Sequence, residues 1–179
     1  MITLIKKWFG AVLFICVMIS AALAVQNESM EQKLAALQKI QGKFTFIVLG
    51  DNRSGDDIYR KLIKDAMEYK PDFIVNTGDM IYAYFNLNVW KNFWEMSKPI
   101  TVPYFLTAGN HDVSGSSSEE IYKNQVDMPG NELYYSFTAG NSLFVVLDSN
   151  LTGEENKIDG NQYMWLKKVL EDSKQKNKF

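Results

Sequence analysis

A layered α/β fold built on parallel strands follows from three observations on this chain. Three short apolar runs, rich in β-branched and aromatic residues, lie at 44–49, 73–76 and 102–106. Stretches of helical periodicity separate them and are long enough to serve as crossovers, so the order is strand, helix, strand, helix, strand. Each run is followed by a glycine and then a polar side chain: Gly50-Asp51, Gly78-Asp79 and Gly109-Asn110. Glycine lets the backbone turn sharply there. The polar residue then stands at the carboxyl end of a strand, the edge of an open α/β sheet where ligands bind.

The elements follow in order. Lys6 and Lys7 precede an uncharged apolar stretch at 8–24 that closes on Ala22-Leu23-Ala24, the small-x-small pattern of a cleaved secretory leader. Residues 1–24 are therefore expected to be a signal peptide and the protein to be exported, periplasmic or extracellular. An uncleaved membrane anchor is the competing reading, since the apolar run is close to the roughly 18 residues that can span a bilayer. Met30, Leu34, Leu37 and Ile40 then recur at helical spacing, with Gly42 as a stop. They predict a helix at 27–40 within a lead-in segment, 25–42, and function is expected elsewhere in the chain.

The domain proper is expected at 43–179. After the first strand, Asp56 and Asp57 open a helix that runs to Tyr69, and Pro71 ends it. Past the strand at 73–76, a helix at 87–96 turns Val89, Trp90, Phe93 and Trp94 to one side. Beyond the third strand the texture changes. Residues 114–118 read as a loop before a short helix at 119–126, and strands at 133–138 and 142–147 flank the hairpin turn Ala139-Gly140-Asn141. A last helix at 162–170 is expected to place Tyr163, Leu166, Val169 and Leu170 inward.

Composition narrows the class. Cys16, the one cysteine, lies in the leader, so disulfides contribute nothing to the exported part. Removing the leader takes two of the 19 basic residues and none of the 21 acidic ones, and the net charge moves from −2 to −4. No clustered basic face marks a nucleic-acid footprint. The expected product is one monomeric domain that meets a membrane only if its leader stays uncleaved.

An Asp at a strand end can simply cap the next helix, and for Asp51 alone that reading is as good as any. Asp79 ends a buried run with no Ser or Thr alternative, and a carboxylate near the core needs a counter-charge. The three glycine-linked polar residues are spaced 28 and 31 residues apart, one helix plus one strand each, so their loops are expected to be neighbours. His111 is the only histidine of the chain, and imidazole is the side chain that most readily serves as a general acid near neutral pH.

Gly50-Asp51, Gly78-Asp79 and Gly109-Asn110-His111-Asp112 resemble the first three of five motifs of the calcineurin-like metallophosphoesterases, over residues 44–170. The resemblance implies a four-layer αββα sandwich with a two-metal site (Mn, Fe or Zn) at the strand ends. It implies that Asp51 binds the first metal, Asp79 bridges both and Asn110 binds the second. His111 would protonate the leaving group and Asp112 would orient its ring. Phosphate-ester small molecules or phosphoproteins are the implied substrates. The first motif usually reads Asp-x-His, where this chain has Asp51-Asn52-Arg53, and a guanidinium cannot ligate a metal. Arg53 is expected to clamp substrate phosphate instead. Tyr82, three residues after Asp79, is similar to the metal-binding tyrosine of the purple acid phosphatase branch, with packing against the strand ends as the alternative.

The family's last two motifs supply three further histidines, and none follows His111 here. The expectation is the first half to two-thirds of the sandwich, with a non-catalytic domain on a degenerate scaffold as the rival reading. An aspartyl-phosphate enzyme would want a second Asp at position 53, and no Gly-x-Ser-x-Gly nucleophile elbow occurs. The aromatics Tyr82, Tyr84 and Phe85 and the 114–118 loop are the expected rim of the site.

Overall fold

The computed structural model describes residues 29–179, and the expected leader lies outside them. The first described element is the lead-in helix α1, Met30–Gln38. A capping box starts it: the Ser29 side chain accepts from the Gln32 amide at 3.3 Å, and the Ser29 amide donates to Gln32 Oε1 at 2.9 Å. Met30 and Leu37 are buried, and the Gly140 amide donates to the Leu37 carbonyl at 3.3 Å. The lead-in helix is thus docked on the domain rather than trailing from it.

Strands β1 (Phe46–Leu49), β2 (Phe73–Asn76) and β3 (Tyr104–Leu106) form a parallel sheet in the order β1-β2-β3. Helices α2 (Asp56–Glu68) and α3 (Leu87–Ser97) make the two crossovers. Strands added in sequence order through right-handed crossovers put both helices on one face of the sheet. Tyr59 of α2 joins that layer to the strands. Its hydroxyl lies 2.9 Å from Ser97 Oγ of α3 and 2.8 Å from the Tyr104 hydroxyl of β3. Trp90 and Phe93 of α3 fill the remaining space, both essentially inaccessible.

The opposite face meets a second sheet. β4 (Tyr135–Ala139) and β5 (Ser142–Val146) pair antiparallel around Gly140-Asn141, and β6 (Asn177–Lys178) adds to β5 in parallel. The hairpin is where the sequence placed it. Between the sheets lies a layer of phenylalanines: Phe46, Phe73 and Phe105 from the first, Phe137 and Phe144 from the second. Phe105 and Phe137 stack at 3.7 Å between centroids, while Phe73 meets Phe137 and Phe144 edge-on at 5.5 and 5.1 Å. Alternation along β4, with Tyr135, Phe137 and Ala139 inward, is what strand geometry requires of such a layer.

Two elements depart from the sequence expectation. The helix α4 is Ser116–Lys123, so it begins inside the stretch read as a loop. Ser118 is buried there, accepting from the Ser114 amide and donating to the Gly115 carbonyl at 2.6 Å. The last helix, α5 (Gly160–Asp172), is rotated from its predicted face: Tyr163 and Leu170 are exposed, and Gln162 is the buried residue. The Gln162 amide accepts from the Asp148 N–H at 2.8 Å and donates to the Asp148 carbonyl at 2.9 Å. This two-way bond to the end of β5 sets the helix's rotation against its hydrophobic pattern. With α5 outside the second sheet, the layers run helix, sheet, sheet, helix.

Candidate active site

The three carboxyl ends of β1, β2 and β3 stay in step beyond the last paired residues. Thr77 N donates to the Leu49 carbonyl at 2.8 Å, Asp51 N to the Gly78 carbonyl at 2.9 Å and Thr107 N to the Asn76 carbonyl at 2.9 Å. The loops then close on one another. A Cβ built on Gly78 would lie 2.7 Å from the Gly109 nitrogen, and one on Gly109 would run into the backbone and carboxylate of Asp79. These two glycines are needed for close approach between loops. The turning itself falls largely on the acidic residues, since Asp51 and Asp79 both have left-handed φ, 50° and 54°. Asp tolerates that region better than most side chains, at a cost of about 1 kcal/mol or more each.

The result is an open cleft of about 740 Å³ whose lining includes Asp51, Asp79 and Asn110. The three polar residues are therefore brought together. Its far wall comes from the segment that follows β5: Leu147, Ser149, Asn150 and Asn156. Sequence reasoning took Asp148-Ser149-Asn150 only as the end of a strand. The signal was present, because an apolar run followed by polar residues is the same pattern as at the other three ends. The Asn150 amide donates to Asp148 Oδ1 at 2.7 Å and the Asn156 amide to the Ser149 carbonyl at 2.8 Å, which fixes this wall.

Asp112 does something other than orient the His111 ring. It is wholly buried, and its carboxylate gathers four backbone amides. Oδ2 accepts from Asp79 at 2.8 Å and Gly109 at 2.9 Å, while Oδ1 accepts from Met80 at 3.0 Å and Ile81 at 3.2 Å. Burial pushes its pKa up to about 6 against the downward pull of those amides. Four N–H donors saturate it, so its role is to pin the Asp79 loop to the Asn110 loop. His111 contributes its backbone amide to Asp79 Oδ1 at 3.1 Å, and its side chain is half-buried.

A buried polar chain supports the same loops from behind. Asn76 donates to the Tyr104 hydroxyl at 2.7 Å and to Asn52 Oδ1 at 2.9 Å, and its own Oδ1 accepts from the Gly78 amide at 2.9 Å. Asn52 in turn donates to the Met80 carbonyl at 3.3 Å. These links rigidify the glycine-bearing turns, the usual function of satisfied buried networks.

Two predicted site residues are placed differently. The Arg53 guanidinium is turned to protein rather than offered as a phosphate clamp. It forms an ion pair with Asp79 Oδ2, and its Nε lies 3.7 Å from Asp51 Oδ1. Two carboxylates in reach outcompete solvent for a permanently charged fork. Tyr82 is not among the residues that line the cleft, and it is 59% exposed. Phe85 is exposed beside it, while Tyr84 packs against the core with its ring 5.5 Å from that of Phe85.

The donor chemistry can be weighed against the metals that the motifs imply. Asp51, Asp79 and Asn110 are hard oxygen donors suited to a divalent cation. Among the described residues no three His, Cys, Asp or Glu side chains gather to hold a metal. Asp51, Asp79 and Asn110 are the donors that the described residues bring to the cleft. Among the described residues, too, no helix is long and apolar enough to cross a membrane.

Comparison with known proteins agrees with the motifs. Purple acid phosphatase 13 of Arabidopsis thaliana is 33% identical over 93 residues, covering 45% of this chain and 16% of its own length. Probable inactive purple acid phosphatase 9 of the same plant is 26% identical over 187 residues, covering 82% of this chain and 28% of its own. A purple acid phosphatase structure from yellow lupin (Lupinus luteus) seeds superposes with a TM-score of 0.61 at 18% identity, over 75% of this chain and 28% of that one, a likeness of fold. The chain thus spans less than a third of these relatives' lengths. The sequence model described as Calcineurin-like phosphoesterase matches residues 35–178, nearly the whole of the described fold, and the chain belongs to that family.

Proposed function

We propose that this chain supplies the first three strand-end loops of a metal-dependent phosphoesterase, hydrolysing phosphate monoesters or diesters. The observation that carries the reading is the convergence of Asp51, Asp79 and Asn110 on one cleft, held by glycines that let their loops touch. Family membership supports phosphoester hydrolysis as the reaction class. Asp51, Asp79 and Asn110 are the residues that would hold metal. When bound there, a divalent ion supplies Lewis-acid polarisation of the phosphoryl group and activates water at neutral pH.

The chain's own residues contribute the rest. Asp112 holds the Asp79 and Gly109 amides at fixed separation, so the donors are preorganised before any ligand arrives. His111 follows Asn110 directly, and in this reading it delivers a proton to the leaving-group oxygen. Ser149, Asn150 and Asn156 face the motif loops across the cleft and offer neutral donors to phosphoryl oxygens. Export on a cleaved leader, a monomeric state and small phosphate esters or phosphoproteins as substrates belong to the same proposal.

The test is hydrolysis of a generic aryl phosphate by the full-length protein, with metal content measured alongside. Activity is expected to disappear with a chelator and return with Mn²⁺ or Zn²⁺. Asp79→Asn is expected to lower it on the order of 100-fold, in line with losing one preorganised charge at such a centre. A second reading, a non-catalytic scaffold, is favoured by one observation: the Arg53 guanidinium already neutralises the carboxylates. Metal-free protein with no turnover after metal addition would select it.

A further inference from the structure

We infer that Arg53 stands in for one of the two metal ions, so that the site takes a single divalent cation beside a built-in guanidinium. The inference rests on the phosphoesterase reading and sharpens it. Among the described residues Asp51 and Asp79 are the two carboxylates that line the cleft, and Arg53 reaches both. Its contact with Asp79 is two-ended. The Arg53 amide donates to the Asp79 carbonyl at 3.1 Å while the guanidinium pairs with the Asp79 carboxylate. The side chain is therefore anchored at its root and at its tip, and it is about one-third exposed.

Charge makes the substitution specific. Asp51 and Asp79 carry two negative charges, and Asn110 none. One divalent ion beside the guanidinium leaves the centre slightly positive, as an anionic phosphate ester requires. Two divalent ions beside it would crowd far more positive than negative charge into a partly desolvated cleft, where like-charge repulsion is weakly screened. Geometry points the same way. Asp79 Oδ2 is engaged by Arg53 and Oδ1 by the His111 amide, so the lone pairs left on Asp79 can join one ion rather than bridge two. The Asp51 carboxylate, 75% exposed, and the exposed Asn110 keep free lone pairs for one ion. A guanidinium cannot be ligated, so where it sits an ion does not.

The experiment counts metal. Full-length protein stripped by chelation is titrated with Mn²⁺ and with Zn²⁺ by calorimetry, and bound metal is counted after desalting. Wild type is expected to take up one equivalent. Arg53→His, which exchanges the cation for a neutral nitrogen donor, is expected to take up two. Arg53→Gln, which removes the charge and supplies no comparable ligand, is expected to keep one equivalent but bind it about tenfold more tightly, a competing cation having gone. Circular dichroism of each metal-free variant establishes that it is folded. Two equivalents in wild type, or equal stoichiometry and affinity in all three proteins, overturn the inference and leave the phosphoesterase reading standing. No uptake by any of them overturns both.

Discussion

At the scale of single residues, the buried acids are where chemistry and stability compete. Asp148 is wholly buried at the end of β5; one oxygen accepts from Asn150 and the other, Oδ2, finds no partner among the described residues. Burial is the main reason its pKa is pushed up to about 6, with the charge of Glu119 adding to it. The folded state therefore holds a proton that the unfolded state has released over the interval from about pH 4 to about pH 6. Stability from this group is complete below that interval and is lost as pH rises through it. Asp148→Asn keeps an acceptor for Asn150 and removes the buried charge. It is expected to gain about 1–2 kcal/mol near pH 7 and to flatten the dependence of the urea midpoint on pH between about 4 and 6. Asp112, raised in the same direction by its burial, supplies the slope that remains.

At the scale of elements, the strand-end turns set the site, and their glycines let the turns approach one another. Gly109→Ala is expected to cost about 2–4 kcal/mol, because the new methyl meets Asp79 backbone that Asp112 holds in place. It should also weaken Mn²⁺ binding at least tenfold, which a titration would read directly, whereas an alanine at Gly55, whose new methyl would meet nothing nearer than 3.9 Å, leaves metal binding as it was. The Gly-Asp pairs were readable from sequence as turns. Their partners were not. That Asp112 reaches the amides of Asp79, Met80 and Ile81, or that Arg53 pairs with Asp79, depends on residues separated by 26 to 33 positions meeting in space. The rotation of α5 escaped for a related reason. Hydrophobic period favoured Tyr163 and Leu170 inward, but one amide pair between Gln162 and Asp148 fixes the helix otherwise.

At the scale of the molecule, the phenylalanine layer makes one body of two sheets. Phe105, Phe137 and Phe144 stack in a column, and Phe73 closes it edge-on. Phe137→Ala is expected to cost about 3–5 kcal/mol by thermal or denaturant unfolding. It should also loosen the cleft, since the layer holds the Ser149–Asn150 wall against the motif loops. The helix α1 is docked on the second sheet, its Leu37 carbonyl tied to the β4–β5 turn.

The sequence by itself determined the parallel order of strands, the hairpin after them, and which side chains stand at the strand ends. Those features depend on local periodicity and on Gly-polar pairs, which are written within a few neighbouring positions. Only the tertiary structure decided what those side chains bind. A carboxylate's partners are chosen by through-space charge and by amides converging from distant loops, so Asp112 became a clamp and Arg53 a resident cation beside Asp51 and Asp79.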